Sequence, residues 1–282
     1  MLKRSQRLAF RLGAAVAALA AALFLTSSAG AGDIKITVTN DQPGGGFTLA
    51  PIWFGVQDGT FSAFTPGQAA SSEIATLAQF GNTAPLSSQF EAANVGVDTT
   101  LKSGGSLPQF LPGQSNSTIL SVANPGTDQF LSFAGMIVPS NDFFIGNASP
   151  LQIFNSNGTF KGPLTIKVYG SGIWDSDTEA QSLTTALTFI KGQTPGSGTQ
   201  ITDGKVTSLF SESTASTFLG GIDGKTTAAG YTITHIPTST DPIATIQISS
   251  VPEPSSLVLL GLGVAGLVAR RCLVSPLRRR TS

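Results

Sequence analysis

Cysteine is almost missing from this chain. The one cysteine among its 282 residues is Cys272, close to the C-terminus. Residues 32–250 therefore form no disulfide and no thiolate metal site, and their stability must come from packing. Histidine is equally scarce. A Ser/His/Asp hydrolase needs a base beside its nucleophile, and His235 in "YTITHIP" is the sole histidine, with no G-x-S-x-G in the sequence. His235 reads as a strand histidine. Arginine is absent between residues 32 and 254, all 8 arginines lying in the two tails. That stretch holds 7 lysines against 16 acidic residues, a net charge of −9 hidden by the overall balance of zero. An acidic domain without arginine lacks the basic face that nucleic acid needs, and it suits cations instead. The glycine clusters 44–46 and 104–105 precede no Lys-Ser/Thr and sit in no strand-turn-helix unit, so they read as loops rather than phosphate cradles.

The tails carry what the middle lacks. Lys3, Arg4, Arg7 and Arg11 precede an Ala/Leu-rich apolar stretch over 12–25 and a small-residue site at Ala29-Gly30-Ala31. This is the layout of a secretory signal, so residues 1–31 are expected to be removed on export. At the other end, "VPEPSSLVLLGLGVAGLVARR" runs from Pro252-Glu253-Pro254 through apolar residues 257–269 into Arg270 and Arg271. Residues 251–282 resemble the PEP-CTERM sorting signal, in which a Pro-Glu-Pro motif, a transmembrane stretch and a basic cluster are read by an exosortase. The resemblance implies exosortase as a processing partner and a transient hold on the inner membrane through this tail. The segment "CLVSPLRRRTS" extends past the first arginine pair. An ordinary C-terminal anchor is the plainer alternative. The domain between the tails, 32–250, lies outside the inner membrane on either reading, secreted or at the cell surface.

Short runs of Val, Ile, Thr and Phe between Gly, Pro, Ser and Asn turns point to a mainly β fold, a sandwich or barrel. "DIKITVTN" (33–40) sets Ile34, Ile36 and Val38 on one face, the alternation of a half-buried strand. Further strands are expected at 117–123, 130–138, 151–154, 163–169, 231–236 and 243–248. In "SSEIATLAQFGN" (71–82) a serine cap, Glu73 in the first turn and a terminal Gly81 predict a helix. A second helical stretch is expected over 179–191, with a strand over 183–190 as the alternative. Residues 192–230 read as long surface loops.

One stretch stands out chemically. "GIWDSDTEA" places Asp175, Asp177 and Glu179 at alternate positions. Carboxylates so close repel one another unless solvent or a cation screens them. Calcium is the natural counter-charge, since it takes six to eight oxygens from carboxylates, carbonyls and water. The spacing lacks the glycine and distal glutamate of an EF-hand. A solvated acidic turn is the alternative reading. Asp142, in "MIVPSNDFFIGN", likewise reads as part of a turn built by Pro139, Ser140 and Asn141.

Three ordered blocks, "APIWFGVQDGTFSAFTPGQAASSEIATLAQFGNTAPL" (50–86), "FLSFAGMIVPSNDFFIGNASPLQIF" (130–154) and "IWDSDTEA" (173–180), resemble the spondin N-terminal domain. The resemblance implies a single antiparallel β-sandwich of C2-like character with one or two short helices. It also implies a calcium ion between loops at one end and an adhesive role without catalysis. Carried over by position, the family's acids fall on Asp142, Asp175 and Glu179, while Asp177 stands where the family has a glycine. Phe143 and Phe144 would anchor the Asp142 loop, with Trp53, Phe54 and Trp174 nearby. A surface sugar platform is the second option for Trp174.

The expected function is a secreted, calcium-binding adhesion or extracellular-matrix-binding module whose partner is a glycan or matrix polymer. A metal-independent structural component of the extracellular polymer is the alternative. A polysaccharide hydrolase using a carboxylate pair is a third reading that nothing specific favours.

Overall fold

A computed structural model describes residues 32–251, and the expected export signal and sorting tail lie outside them. The stretch Ala31–Val251 forms one compact unit. Among the described residues, eleven strands make two antiparallel sheets, and no helix is long and apolar enough to cross a membrane.

The smaller sheet is built on β1 (Gly32–Asn40) and β11 (Pro242–Ser250), flanked by β4 (Ser115–Val122) and β8 (Leu164–Tyr169) in the order β4-β1-β11-β8. Its register follows from apolar alternation. Ile36 faces Ile248 and Val38 faces Ile246, so one side of the sheet is continuous hydrocarbon and the other carries Lys35, Gln247 and Lys167. A one-residue slip would turn every one of these side chains to the wrong face.

The larger sheet has β2 (Thr48–Gln57) and β5 (Phe130–Val138) at its centre. On one side lies β3 (Gly96–Leu101), on the other β6 (Phe143–Gly146), β9 (Ile173–Asp175) and β10 (Thr207–Ser208), with β7 (Leu151–Gln152) pairing β5. Its inner face, including Phe54, Val56, Leu131, Phe133 and Ile145, shares one core with Ile34, Ile36, Ile246 and Ile248. Each such side chain contributes about 1.5–3 kcal/mol when fully buried, and without disulfides this is the main source of stability. The outer face is covered by α1 (Ser72–Phe80) and α2 (Ala84–Ala93), where Trp53, Ala134 and Phe144 meet Ile74, Leu77, Leu86 and Phe90. Helix α1 is capped as its sequence predicts: Ile74 N donates to Ser71 Oγ at 3.3 Å, and Gly81, at φ +64°, closes the C-terminus onto Leu77 O.

Several expectations need correction. The segment 179–191 is neither helix nor strand. It is irregular, with isolated bridges from Glu179, Thr188 and Ile190 to Gln200, Ser140 and Thr227, all outside the strands, while Leu187 and Ile190 pack into the shared core. Its serine and threonine hydroxyls bond locally, as when Ser182 Oγ accepts from Thr184 N, and such bonds compete with regular structure. Residues 231–236 form no strand; they are held by a bridge at Thr232 and by backbone hydrogen bonds to Lys225 and Gly45, and only 151–152 of the expected 151–154 strand pair in a sheet. The stretch 192–230 is more than loop, since it holds β10 and a third helix, α3 (Ala215–Gly220).

Candidate functional site

Strand β5 ends at Val138, and the chain then buries three polar residues in succession. Ser140, Asn141 and Asp142 are all fully buried. Ser140 shapes the turn by donating from Oγ to Ile137 O at 2.6 Å and accepting from Phe143 N at 3.2 Å. Asn141 Oδ1 accepts from Ser182 N at 2.9 Å. The two phenylalanines that follow anchor the turn on opposite faces of the sheet. Phe143 packs edge-on against Phe218, with ring centres 5.7 Å apart, and Phe144 against Phe64 at 4.9 Å.

Asp142 organises the acidic stretch. Its Oδ2 accepts from Ser176 Oγ at 2.9 Å, Thr178 N at 2.7 Å, Thr178 Oγ1 at 3.0 Å and Glu179 N at 2.9 Å. The residues "SDTE" thus wrap around one carboxylate oxygen. The other oxygen, Oδ1, is buried and has no hydrogen-bond partner. Asp175, at the end of β9, is also buried; Oδ1 accepts from Asp177 N at 2.7 Å and Oδ2 from Gln181 Nε2 at 2.9 Å. Asp177 adopts φ +51°, the left-handed conformation a glycine takes freely. Glu179 points its Oε1 at Gly198 N and, more distantly, Gln200 Nε2, while Oε2 is buried without a partner. A Cβ at Gly198 would stand 2.7 Å from that carboxylate, so a larger residue there would push Glu179 Oε1 aside.

Electrostatics set this cluster apart. Burial pushes Asp142 up despite its four hydrogen bonds. Asp175 rises to about 8, first through burial and then through the charges of Asp142 and Glu212. Glu179 is raised by burial, with Asp142 adding to it. Among the described residues the one ion pair is His235 Nε2 to Asp241 Oδ2 at 3.8 Å, so no lysine neutralises these carboxylates. Oxygen-only donors, two of them buried and unpartnered, are chemically suited to a hard divalent cation. As they stand, however, these carboxylates face N–H and O–H donors. Among the described residues no group of three or more His, Cys, Asp or Glu side chains is placed to hold a metal ion.

The family model described as Spondin_N matches residues 53–220, and the PEP-CTERM protein-sorting motif matches residues 250–271. The chain belongs to the Spondin_N family. Its PEP-CTERM motif marks a membrane-anchored precursor that exosortase processes and that is sorted to the cell surface or secreted. Neither family is an enzymatic one. No curated protein matches the chain. Within the Spondin_N region the structure brings Asp142, Asp175 and Glu179 into one loop cluster, the first and last joined through Glu179 N.

Other expected residues fall elsewhere. Trp53 and Phe54 lie on opposite faces of β2, Trp53 donating from Nε1 to Asp98 Oδ2 at 2.7 Å. Trp174 is half-buried against Phe64 and donates from Nε1 to Gly146 O at 3.1 Å. His235 lies outside any strand, its N–H donating to Gly45 O. Two residues of the cluster carry no signal in the sequence. Gln181 Nε2 donates to Asp175 Oδ2 and also to Glu212 Oε2, the latter at 3.2 Å. Glu212 sits alone in the Ser/Thr-rich "SESTAS", where no neighbouring acid or motif distinguishes it.

Proposed function

We propose that this domain is a calcium-binding adhesion or matrix-binding module, with the ion held by Asp142, Asp175 and Glu179 and an extracellular glycan or matrix polymer as its partner. The observation that carries the reading is the bare, buried Oδ1 of Asp142 in a cluster with no basic partner. Burying an unpaired carboxylate oxygen is costly, and a cation removes that cost. Bound calcium would supply positive charge only. The chain's own residues do the rest: Ser176, Thr178 and Glu179 orient Asp142, while Gln181 orients Asp175. The absence of a histidine-assisted nucleophile and the membership of two non-enzymatic families support a binding role over catalysis.

A second reading has its own support. The carboxylates already accept internal hydrogen bonds and form no ready three-ligand group, which favours a metal-independent structural component. A glycan array probed with the purified domain in calcium and again in chelator separates the two. Retention on particular glycans that disappears in chelator is the result expected of the binding module. An array blank in both conditions contradicts it.

A further inference from the structure

We propose that Asn157 is the acceptor of an N-linked glycan, transferred to it outside the inner membrane from an oligosaccharide carried on a polyprenyl diphosphate. The inference is independent of the calcium reading. Three stretches have the Asn-x-Ser/Thr pattern that such transfer needs: Asn116-Ser117-Thr118, Asn147-Ala148-Ser149 and Asn157-Gly158-Thr159. The pattern carries meaning on the surface of an exported protein, and the PEP-CTERM motif marks this chain as one.

What each amide already does separates the three. Asn147 spends both of its amide hydrogens, Nδ2 donating to Leu131 O and Ser149 O at 2.9 Å each, while Oδ1 accepts from Phe133 N at 2.7 Å. Asn116 lies in the paired strand β4 and donates from Nδ2 to Lys102 O at 2.8 Å. A sugar on Asn147 would displace a bond that fastens β5, and one on Asn116 would displace the tie from β4 to Lys102. Asn157 is exposed, and its Nδ2 has no hydrogen-bond partner among the described residues. Its Oδ1 is fixed instead, accepting from Thr159 Oγ1 at 2.7 Å and Thr159 N at 3.1 Å.

The site stands at the tip of a tight turn. Phe154 and Phe160 bridge its base with ring centres 5.7 Å apart, Asn155 N donates to Thr159 O at 2.9 Å, and Gly158 takes φ +80°. Asn155 Nδ2 donates to Thr159 Oγ1 at 2.9 Å, so the hydroxyl is held between two asparagines and orients the acceptor amide. In the transfer, a bond forms between Asn157 Nδ2 and C1 of the first sugar. The bond from C1 to the diphosphate oxygen breaks, the diphosphate leaves with the electron pair, and Nδ2 gives up one proton. Thr159 is a positioning residue for this step.

The test is mass spectrometry of the full chain as its own cells export it, since cleavage after phenylalanine separates the three asparagines. A sugar adduct is expected on Asn157 and on neither Asn116 nor Asn147. Asn157→Gln and Thr159→Ala are expected to lose the adduct, and Thr159→Ser, which keeps the hydroxyl, to retain it. A Thr159 that only braced the turn would change the melting temperature and leave the adduct in place. Exported protein with a bare Asn157, conversion of Asn157 to aspartate alone, or an adduct that survives Thr159→Ala overturns the proposal.

Discussion

Asp142 divides its labour between two oxygens: Oδ2 collects four hydrogen bonds, and Oδ1, equally buried, collects none. Substituting alanine would strand all four donors at once. Each buried unsatisfied donor costs about 1–3 kcal/mol, partly relieved by loop rearrangement, so Asp142→Ala is expected to lose on the order of 3–5 kcal/mol. For a domain of this size that lowers the melting temperature by about 10 °C or more, measurable by circular dichroism. Asp142→Asn keeps an oxygen for the same donors and is expected to melt close to wild type in chelator while no longer responding to calcium. Equal melting of the alanine variant and wild type would show that the collar around Oδ2 carries no weight. The residues around Asp142 mark it as a turn residue, and it is the family resemblance alone that singles it out as a site acid. What makes it a hub is the approach of 176–179 from a distant strand, which local turn chemistry does not encode.

At the scale of elements, legibility tracked exposure. Strands β1 and β11 have one wet face, so they alternate and are readable. Strand β2 is buried on both faces and carries Pro51 at the register shift between Leu49 and Ile52, so "TLAPIWFGVQ" shows neither alternation nor an uninterrupted β-branched run. Helix α2 buries only Leu86 and Phe90, too thin a stripe to stand out. The acidic loop 175–181 is the element whose behaviour depends most on pH. In metal-free protein Asp175 is raised from an ordinary carboxylate value near 4 to about 8. Between those values the folded state holds more protons than the unfolded one, so this group's contribution is complete below about pH 4 and is lost as pH rises toward 8. Melting temperatures in chelator are thus expected to fall from pH 5 to 8, and saturating calcium, which favours the ionised form, is expected to remove that slope. Parallel curves with and without calcium would contradict this.

For the whole molecule, the charge partition and the C-terminal tail are the most readable features, because sorting signals are local and compositional. The C-terminal reading is matched by the PEP-CTERM motif over 250–271. Replacing Pro252, Glu253 and Pro254 by alanine is expected to leave the precursor unprocessed, visible by mass spectrometry as a cell-associated product that keeps its C-terminal tail. Normal shortening of that variant would break the link to exosortase. The two-sheet sandwich is also legible in the sequence, although the burial of its outer face under α1 and α2 is not, since that depends on contacts between residues far apart in the chain, such as Ile74 with Phe144. Nothing near Glu212 in the chain announces its proximity to Asp175, and only the closure of β9 on β10 brings them together.

The most direct test of the account is scanning calorimetry of residues 31–251 at pH 7, in chelator and in millimolar calcium. Calcium a hundredfold above its dissociation constant stabilises the folded state by about 2.7 kcal/mol, so the account predicts a rise of roughly 5–10 °C in wild type and none in Asp142→Asn. An identical melting temperature for wild type in both solutions would contradict it.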